Sequence, residues 1–339
     1  MILVTGGTGL VGSHLLFDLV QQGKKVRAIM RKGSDLKAVE RTFAYYSPQA
    51  AELFSKIEWV VGDVLDIHSL MEAMDSVTHV YHCAAMISFV PSDEQLMLRI
   101  NVEGTANVVN SCIEKKIAKL CHVSSIAALG KLEHGIVIDE ESYWKSAPGN
   151  SNYSISKYGA EREVWRGMEE GLNAVIVNPS IIIGPGTGQR GSQRIFHTIY
   201  NGLSFYAMGE NGWVDVRDVT RSMVRLMDSE IKSERFIISA ENASFKKVFE
   251  LTAGNFGKKK PSFKAGRWIS AFAWRADRLR CILLGRTPVL TKETANSAVE
   301  ISQYSNQKIK KALQFEFIDL EKSLKENCLL FLKDKNSQR

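Results

Sequence analysis

Short runs of β-branched and apolar residues alternate with longer amphipathic stretches along the amino-terminal half of the chain. Residues 2–5, 26–30, 57–61, 79–82, 119–124 and 173–178 have the length and composition of strands. Between them, 10–21, 67–74, 93–114 and 154–170 read as helices lying on a sheet. Strands alternating with helices predict right-handed βαβ units, and so an α/β fold with a doubly wound parallel sheet whose ligands bind at the carboxyl ends of the strands, near the topological switch point. Past Gly184 the pattern loosens into Gly-rich loops, short helices and two small strands, 213–216 and 236–239. The expected division is a larger unit over residues 1–184 and a smaller, mainly carboxy-terminal lobe over 185–339, with some chain returning to the sheet.

Composition narrows the classes. A chain of 339 residues, 45% hydrophobic and 24% charged, builds a sizeable core and is neither disordered nor collagen-like. The net charge of +7 suits an acidic ligand: a phosphate-bearing cofactor, an anionic substrate or a nucleic acid. The densest basic run is only Lys258-Lys259-Lys260, too short for a nucleic-acid arm, so no nucleic-acid partner is expected. Cys83, Cys112, Cys121, Cys281 and Cys328 are scattered and odd in number, which points to reduced thiols and a cytoplasmic setting. The chain opens directly on a strand, without the basic and apolar regions of a signal peptide. Residues 268–284 are interrupted by Arg275, Asp277, Arg278 and Arg280, so no integral membrane segment is expected. A basic amphipathic helix on a membrane surface is one reading of that stretch. A helix capping a substrate pocket or a subunit contact is the other.

The first strand runs into Thr5-Gly6-Gly7-Thr8-Gly9-Leu10-Val11-Gly12, with Gly6, Gly9 and Gly12 at G-x-x-G-x-x-G spacing. Such a turn needs positive φ, close approach of backbone to a pyrophosphate, and tight packing of the next helix on the strand. The helix amino terminus then offers unpaired N–H groups to an anion. A tight strand-to-helix turn alone would also explain the glycines; their place after the first strand favours dinucleotide binding. A Walker loop is excluded, because its Lys-Ser/Thr pair is missing. The second strand ends in Arg31-Lys32, with no carboxylate before Asp35. An acid that would hold the adenosine ribose is therefore absent, and Arg31 stands where it would clamp a 2′-phosphate, with Lys32 or Ser34 beside it. NADP(H) is the preferred cofactor on this reading; stacking of Arg31 on adenine would also admit NAD(H).

Tyr153 and Lys157 lie four apart, one turn along the same helix face. A tyrosine is a poor base at neutral pH, and a neighbouring ammonium together with an oxidised nicotinamide favours its phenolate. Upstream, Ser124-Ser125 follows a strand, where a serine hydroxyl can bond a substrate carbonyl. Each feature alone is ordinary; with the phosphate turn they become specific.

At these residues the sequence resembles the extended short-chain dehydrogenase/reductase superfamily, in its NAD(P)-dependent epimerase/dehydratase and dihydroflavonol-reductase-like group, over nearly the whole chain. The resemblance implies a Rossmann fold, with the cofactor turn at Gly6, Thr8, Gly9, Leu10, Val11 and Gly12. It further implies an adenine contact at Asp63-Val64 and a cofactor-facing run at Cys83-Ala84-Ala85. Ser125, Tyr153 and Lys157 match the family's catalytic residues, and Asn101, in Asn101-Val102-Glu103-Gly104-Thr105, matches the Asn that supports them. Asn178-Pro179-Ser180 and Gly184-Pro185-Gly186 match the loop beside the nicotinamide, and 214–219 matches a carboxy-lobe motif. A homodimer is the family habit.

The chain departs from the sugar-nucleotide 4,6-dehydratases, having Ser125-Ile126-Ala127 where they carry Thr-Asp-Glu, so the acid for water elimination is missing. Arg31, Ser124-Ser125-Ile126 and the run 287–291 look more like dihydroflavonol-reductase-like and hydroxysteroid-dehydrogenase-like members than UDP-sugar epimerases. His79 and His82 point to opposite faces of a strand and cannot share a metal, and His122 is expected in the core. Asp139-Glu140-Glu141 is expected to be a solvated turn. Trp213, Trp268 and Trp274 either line a substrate pocket or pack the core. The expected activity is hydride transfer between a nicotinamide and a carbonyl or secondary alcohol of a small-molecule substrate. A nucleotide-sugar epimerase that retains its cofactor, and a dinucleotide-sensing binding protein, are the alternatives.

Overall fold

The structure is a computed structural model that describes residues 1–130, 135–147, 149–186, 193–266, 274, 275, 293 and 298–337. In chain order the amino-terminal elements are β1 (Ile2–Thr5), α1 (Leu10–Gln21), β2 (Val26–Met30), α2 (Leu36–Ala44), α3 (Ala50–Ser55), β3 (Ile57–Val61), α4 (Ile67–Ala73) and β4 (His79–His82). Then come α5 (Glu94–Leu98), α6 (Gly104–Glu114), β5 (Lys119–Val123), β6 (Val137–Ile138), α7 (Asn152–Glu169), β7 (Ala174–Pro179) and β8 (Ile181–Ile183). The remainder comprises α8 (Gln193–Tyr200), β9 (Phe205–Ala207), β10 (Glu210–Asp215), α9 (Val216–Met227), β11 (Glu234–Ile238), β12 (Glu241–Ser244), α10 (Phe245–Asn255), β13 (Phe263–Ala265), β14 (Gln303–Tyr304), α11 (Gln307–Leu313) and α12 (Leu320–Ser337).

Seven strands form one parallel sheet in the order β11-β7-β5-β4-β1-β2-β3. Its strands are apolar on both faces because helices cover both. Leu3, Leu120, Ala174 and Ile176 point to the side packed by α4, α6 and α7, with Leu70, Val108, Cys112 and Val164. Val4, Cys121, Val175 and Val177 point to the other, against Leu15, Leu19, Val219 and Met223 of α1 and α9. The two-residue period of a strand thus appears as a split between two separate apolar layers. The chain order reverses between β1 and β4, so the carboxyl ends of these two strands open the switch-point crevice.

Strand 236–239, expected in the smaller lobe, instead contributes β11 to the edge of the main sheet beside β7, in register Phe236↔Val177. A short apolar run does not encode which sheet it joins. A second sheet, β12-β10-β8, packs against a separate core that includes Ile183, Phe196, Trp213, Phe256, Leu320 and Leu324. Trp213 takes the core role, its indole N–H donating to the Ala243 carbonyl at 3.0 Å. The expected helix over 93–114 is interrupted by a π-helical stretch, Arg99–Glu103, that carries Asn101. Glu140 is buried rather than solvated, because its carboxylate accepts the Ile237 N–H at 2.8 Å. Residues 268–284, apart from Trp274 and Arg275, and the run 287–291 lie outside the described residues. Among the described residues no helix is long and apolar enough to cross a membrane.

One buried carboxylate joins distant parts of the chain. Asp215 caps α9 through the Arg217 N–H at 2.9 Å and holds the Arg217 guanidinium by Nε at 2.9 Å and Nη2 at 2.8 Å. Ser323 of α12 donates to it at 2.6 Å, and Arg217 reaches on to Glu326 at 2.8 Å. The Arg217 bonds outweigh burial and hold the Asp215 carboxyl below its ordinary range. Removing one member of a buried pair strands the other, so Asp215→Ala is expected to lower the unfolding free energy by about 3 kcal/mol. Urea denaturation of the two proteins measures this, and an unchanged midpoint would show that the clasp adds no stability.

Candidate active site

At the end of β1 the turn is fixed by contact. Gly6 has φ of +69°, and a Cβ there would lie 2.5 Å from the Ala84 backbone nitrogen. A Cβ on Gly12 would lie 2.2 Å from the Gly6 carbonyl oxygen. Gly9 caps α1 without a side-chain bond, and no acid stands in the first turn, so the helix end keeps its partial positive charge. Thr8 and Gly9 are exposed, while Leu10 and Val11 are half-buried beneath them. This is backbone shaped for an anion.

The remaining residues expected at a dinucleotide lie along the same strand ends. Arg31 is exposed just past β2, and its N–H donates to Ser34 Oγ at 3.1 Å. Asp35 is committed to capping α2, accepting the Ala38 N–H at 3.2 Å. Asp63, past β3, is half-buried and accepts the Leu65 N–H at 2.9 Å. Val64 is buried beside Gly104, where a Cβ would come within 2.7 Å of its methyl carbon. Cys83, Ala84 and Ala85 follow β4, with the Cys83 N–H donating to the Thr5 carbonyl at 3.1 Å. Burial raises the Cys83 thiol to about 12, which removes it as a nucleophile. Pro179 is buried at the end of β7.

Helix α7 starts at Ser151, whose side chain accepts the Ser154 N–H at 3.0 Å. Its first turns carry Tyr153 and Lys157 to the end of β5. Burial raises the Tyr153 phenol above its ordinary value, and the neighbouring Ser125 hydroxyl pulls it back. Phe89 stands edge-on to Tyr153 with ring centroids 5.6 Å apart. Lys157 is buried and donates to the Val123 carbonyl at 2.8 Å. Burial lowers its ammonium to about 8, against the raising pull of Glu161 and Cys83. Asn101 grips the backbone of Met86 in both directions, at 2.7 and 2.9 Å, and donates to Ser156 Oγ at 2.9 Å.

Sequence reasoning passed over Glu161, although it lies four residues beyond Lys157 on the same helix face. Its buried carboxylate accepts from Ser124 Oγ at 2.6 Å, Asn178 Nδ2 at 2.7 Å and Arg235 Nη1 at 3.1 Å. Asn178 also donates to the Ser125 carbonyl at 3.0 Å, so this carboxylate organises the loop that holds Ser125. The repeat Tyr153, Lys157, Glu161 was the available signal.

The family model described as NAD dependent epimerase/dehydratase family matches residues 2–239. The chain belongs to this family. It is similar to a putative dihydroflavonol 4-reductase of Synechocystis sp., 28% identical over 90% of this chain and 87% of that protein. It is also similar to tetraketide alpha-pyrone reductase 2 of Arabidopsis thaliana, 30% identical over 75% of this chain and 82% of that protein. The crystal structure of gox2253 superposes with a TM-score of 0.80 at 28% identity, covering 98% of both chains. Membership makes the chain an NAD(P)-dependent oxidoreductase of the extended short-chain dehydrogenase/reductase type. The crowded glycine turn and the acid-free helix end fit the pyrophosphate of its cofactor. Gly6→Ala places a methyl group against the Ala84 backbone and strains a positive φ. Titration calorimetry is expected to show nicotinamide-nucleotide affinity reduced at least roughly tenfold, the scale of one lost well-made contact; unchanged affinity would place the pyrophosphate elsewhere.

Proposed function

We propose that the protein is an NADP-preferring carbonyl reductase, or alcohol dehydrogenase in reverse, with residues 1–184 holding the dinucleotide and 185–339 forming the substrate lobe. The observation that carries this reading is the Ser125–Tyr153 hydroxyl pair with the buried Lys157 ammonium one helical turn away. The bound nicotinamide supplies or accepts the hydride. In reduction, Tyr153 gives its hydroxyl proton to the substrate oxygen while Ser125 hydrogen-bonds the same oxygen. The resulting phenolate is stabilised by the Lys157 charge and regains a proton from solvent. Lys157 bonds the Val123 carbonyl with one N–H, leaving its other donors to hold the nicotinamide ribose. Asn101 supports this geometry through Ser156 and Met86.

The similarity to proteins named as reductases supports this reading over nucleotide-sugar epimerisation, which would use the same three side chains. Phe89 beside Tyr153 offers the substrate an apolar edge. The commitment of Asp35 to its helix cap, with Arg31 exposed at the strand end, supports NADP over NAD. Cys83, Cys112, Cys121 and Cys328 are free thiols among the described residues, in keeping with a reducing, cytoplasmic setting.

Turnover of NADPH with a panel of aldehydes, ketones and apolar ring ketones tests the activity. Tyr153→Phe is expected to lower kcat/KM by roughly a hundredfold or more, the usual scale of a lost general acid. An unchanged rate would remove Tyr153 from the chemistry. Because the ammonium is present below pH about 8 and lost above it, kcat/KM for reduction is expected to fall on the alkaline side of that value. A flat profile through that range would contradict a role for the Lys157 charge. Arg31→Ala is expected to raise the NADPH dissociation constant roughly ten- to a hundredfold, as for one charge-assisted hydrogen bond, while leaving that of NADH nearly unchanged. Equal loss for both nucleotides would place Arg31 on a part they share.

A further inference from the structure

Between the cofactor turn and the catalytic helix runs a buried file of polar groups centred on His82. Thr5 Oγ1 lies 2.7 Å from His82 Nδ1, and His82 Nε2 lies 3.0 Å from Thr105 Oγ1. Thr105 donates its one hydroxyl proton to the Asn101 carbonyl at 2.6 Å. It must therefore accept from His82, which places the ring proton on Nε2 and leaves Nδ1 to accept from Thr5. Thr5 Oγ1 is then free to receive the Ala84 N–H at 3.3 Å, the same backbone group that crowds Gly6. From the far end, Asn101 donates to Ser156, and Ser156 donates to the Tyr153 carbonyl at 2.8 Å. Every donor along this file finds an acceptor only with this one tautomer.

We propose that His82 is a positioning residue, a neutral brace locked in its Nε2–H form that ties the dinucleotide turn to the element carrying Tyr153. The proposal rests on the reading of Tyr153 given above. The file does not conduct protons, because it ends on backbone carbonyls at Asn101 and Tyr153 and passes through the Asn101 side-chain amide. Its surroundings forbid charge on the imidazole. Burial and the Lys157 ammonium hold His82 down to about 3. The neighbouring ring, His122, is 5.1 Å away and is also held well below its ordinary value by burial, Lys157 and His82. The brace thus keeps one form through the working pH range, and occupation of the turn is transmitted to Tyr153 as geometry.

Two conservative variants separate the ends of the brace. His82→Asn retains a group near Nδ1 for Thr5 and loses the reach to Thr105; His82→Gln retains the reach to Thr105 and loses the partner of Thr5. For His82→Asn we expect kcat lowered roughly tenfold, the scale of one buried hydrogen bond, with NADPH affinity by fluorescence titration near that of the parent. For His82→Gln we expect the converse, affinity lowered by a similar factor and kcat retained. Neither is expected to shift the pH profile, as a proton relay would. In the parent protein, nitrogen-15 NMR of labelled histidine should show His82 protonated on Nε2 and unchanged between pH 8 and about 5, below the ordinary histidine range. This measurement stands even if a variant fails to fold. A proton on Nδ1, titration within that range, or identical effects of the two variants would overturn the brace. If Tyr153→Phe leaves turnover unchanged while the tautomer and the affinity loss of His82→Gln hold, the reading of Tyr153 fails and the tie to the dinucleotide turn stands.

Discussion

The arrangement of the site depends on an ammonium kept away from water. Lys157 is buried, and an isolated charge there would be expelled or neutralised. The fold retains it with the Val123 carbonyl at the end of β5 and with the Glu161 carboxylate one turn along the helix. Other nearby titratable groups accommodate the same charge: His82 and His122 are uncharged, and Cys83 remains a thiol. The carboxyl ends of the central strands thus gather three polarisable but neutral side chains around one buried cation.

Glu161 extends that constraint across the sheet. It is held by Arg235 of the edge strand β11, while Arg235 also donates to the Glu140 carbonyl at 2.8 Å. Glu140 in turn accepts the Ile237 N–H, closing a loop of contacts between β11, α7 and the segment after β6. An edge strand of the sheet thus takes part in fixing the Glu161 carboxylate on α7. The chain thus rejoins the main sheet at β11 after forming β8, β9 and β10.

Much of the sheet was legible because a buried parallel strand is apolar on both faces, which marks runs such as 174–177 without regard to register. The glycine turn and the Tyr153–Lys157 spacing were legible because they are local. Local pattern does not reveal that β11 leaves its neighbours in sequence to pair with β7, or that Glu140 turns inward to meet a strand far along the chain. Nor does helical periodicity reveal the π-helical stretch at Asn101, which changes the face that a residue presents within one apparently continuous helix. The contacts of His82 are of the same kind: its two partners, Thr5 and Thr105, lie on separate elements and meet only once the sheet and α6 are assembled.

The clasp at Asp215 has a consequence in time. The carboxylate begins α9 early, but Ser323 and Glu326, which complete its surroundings, belong to α12. Leu320, Leu324 and Cys328 of the same helix fill the core beside Trp213. During synthesis the larger sheet can therefore assemble while the second sheet, β12-β10-β8, still exposes an apolar floor and a carboxylate short of partners. Such long-range closure is slow, and the interval before α12 emerges is when the nascent chain is most open to aggregation or to capture by a chaperone.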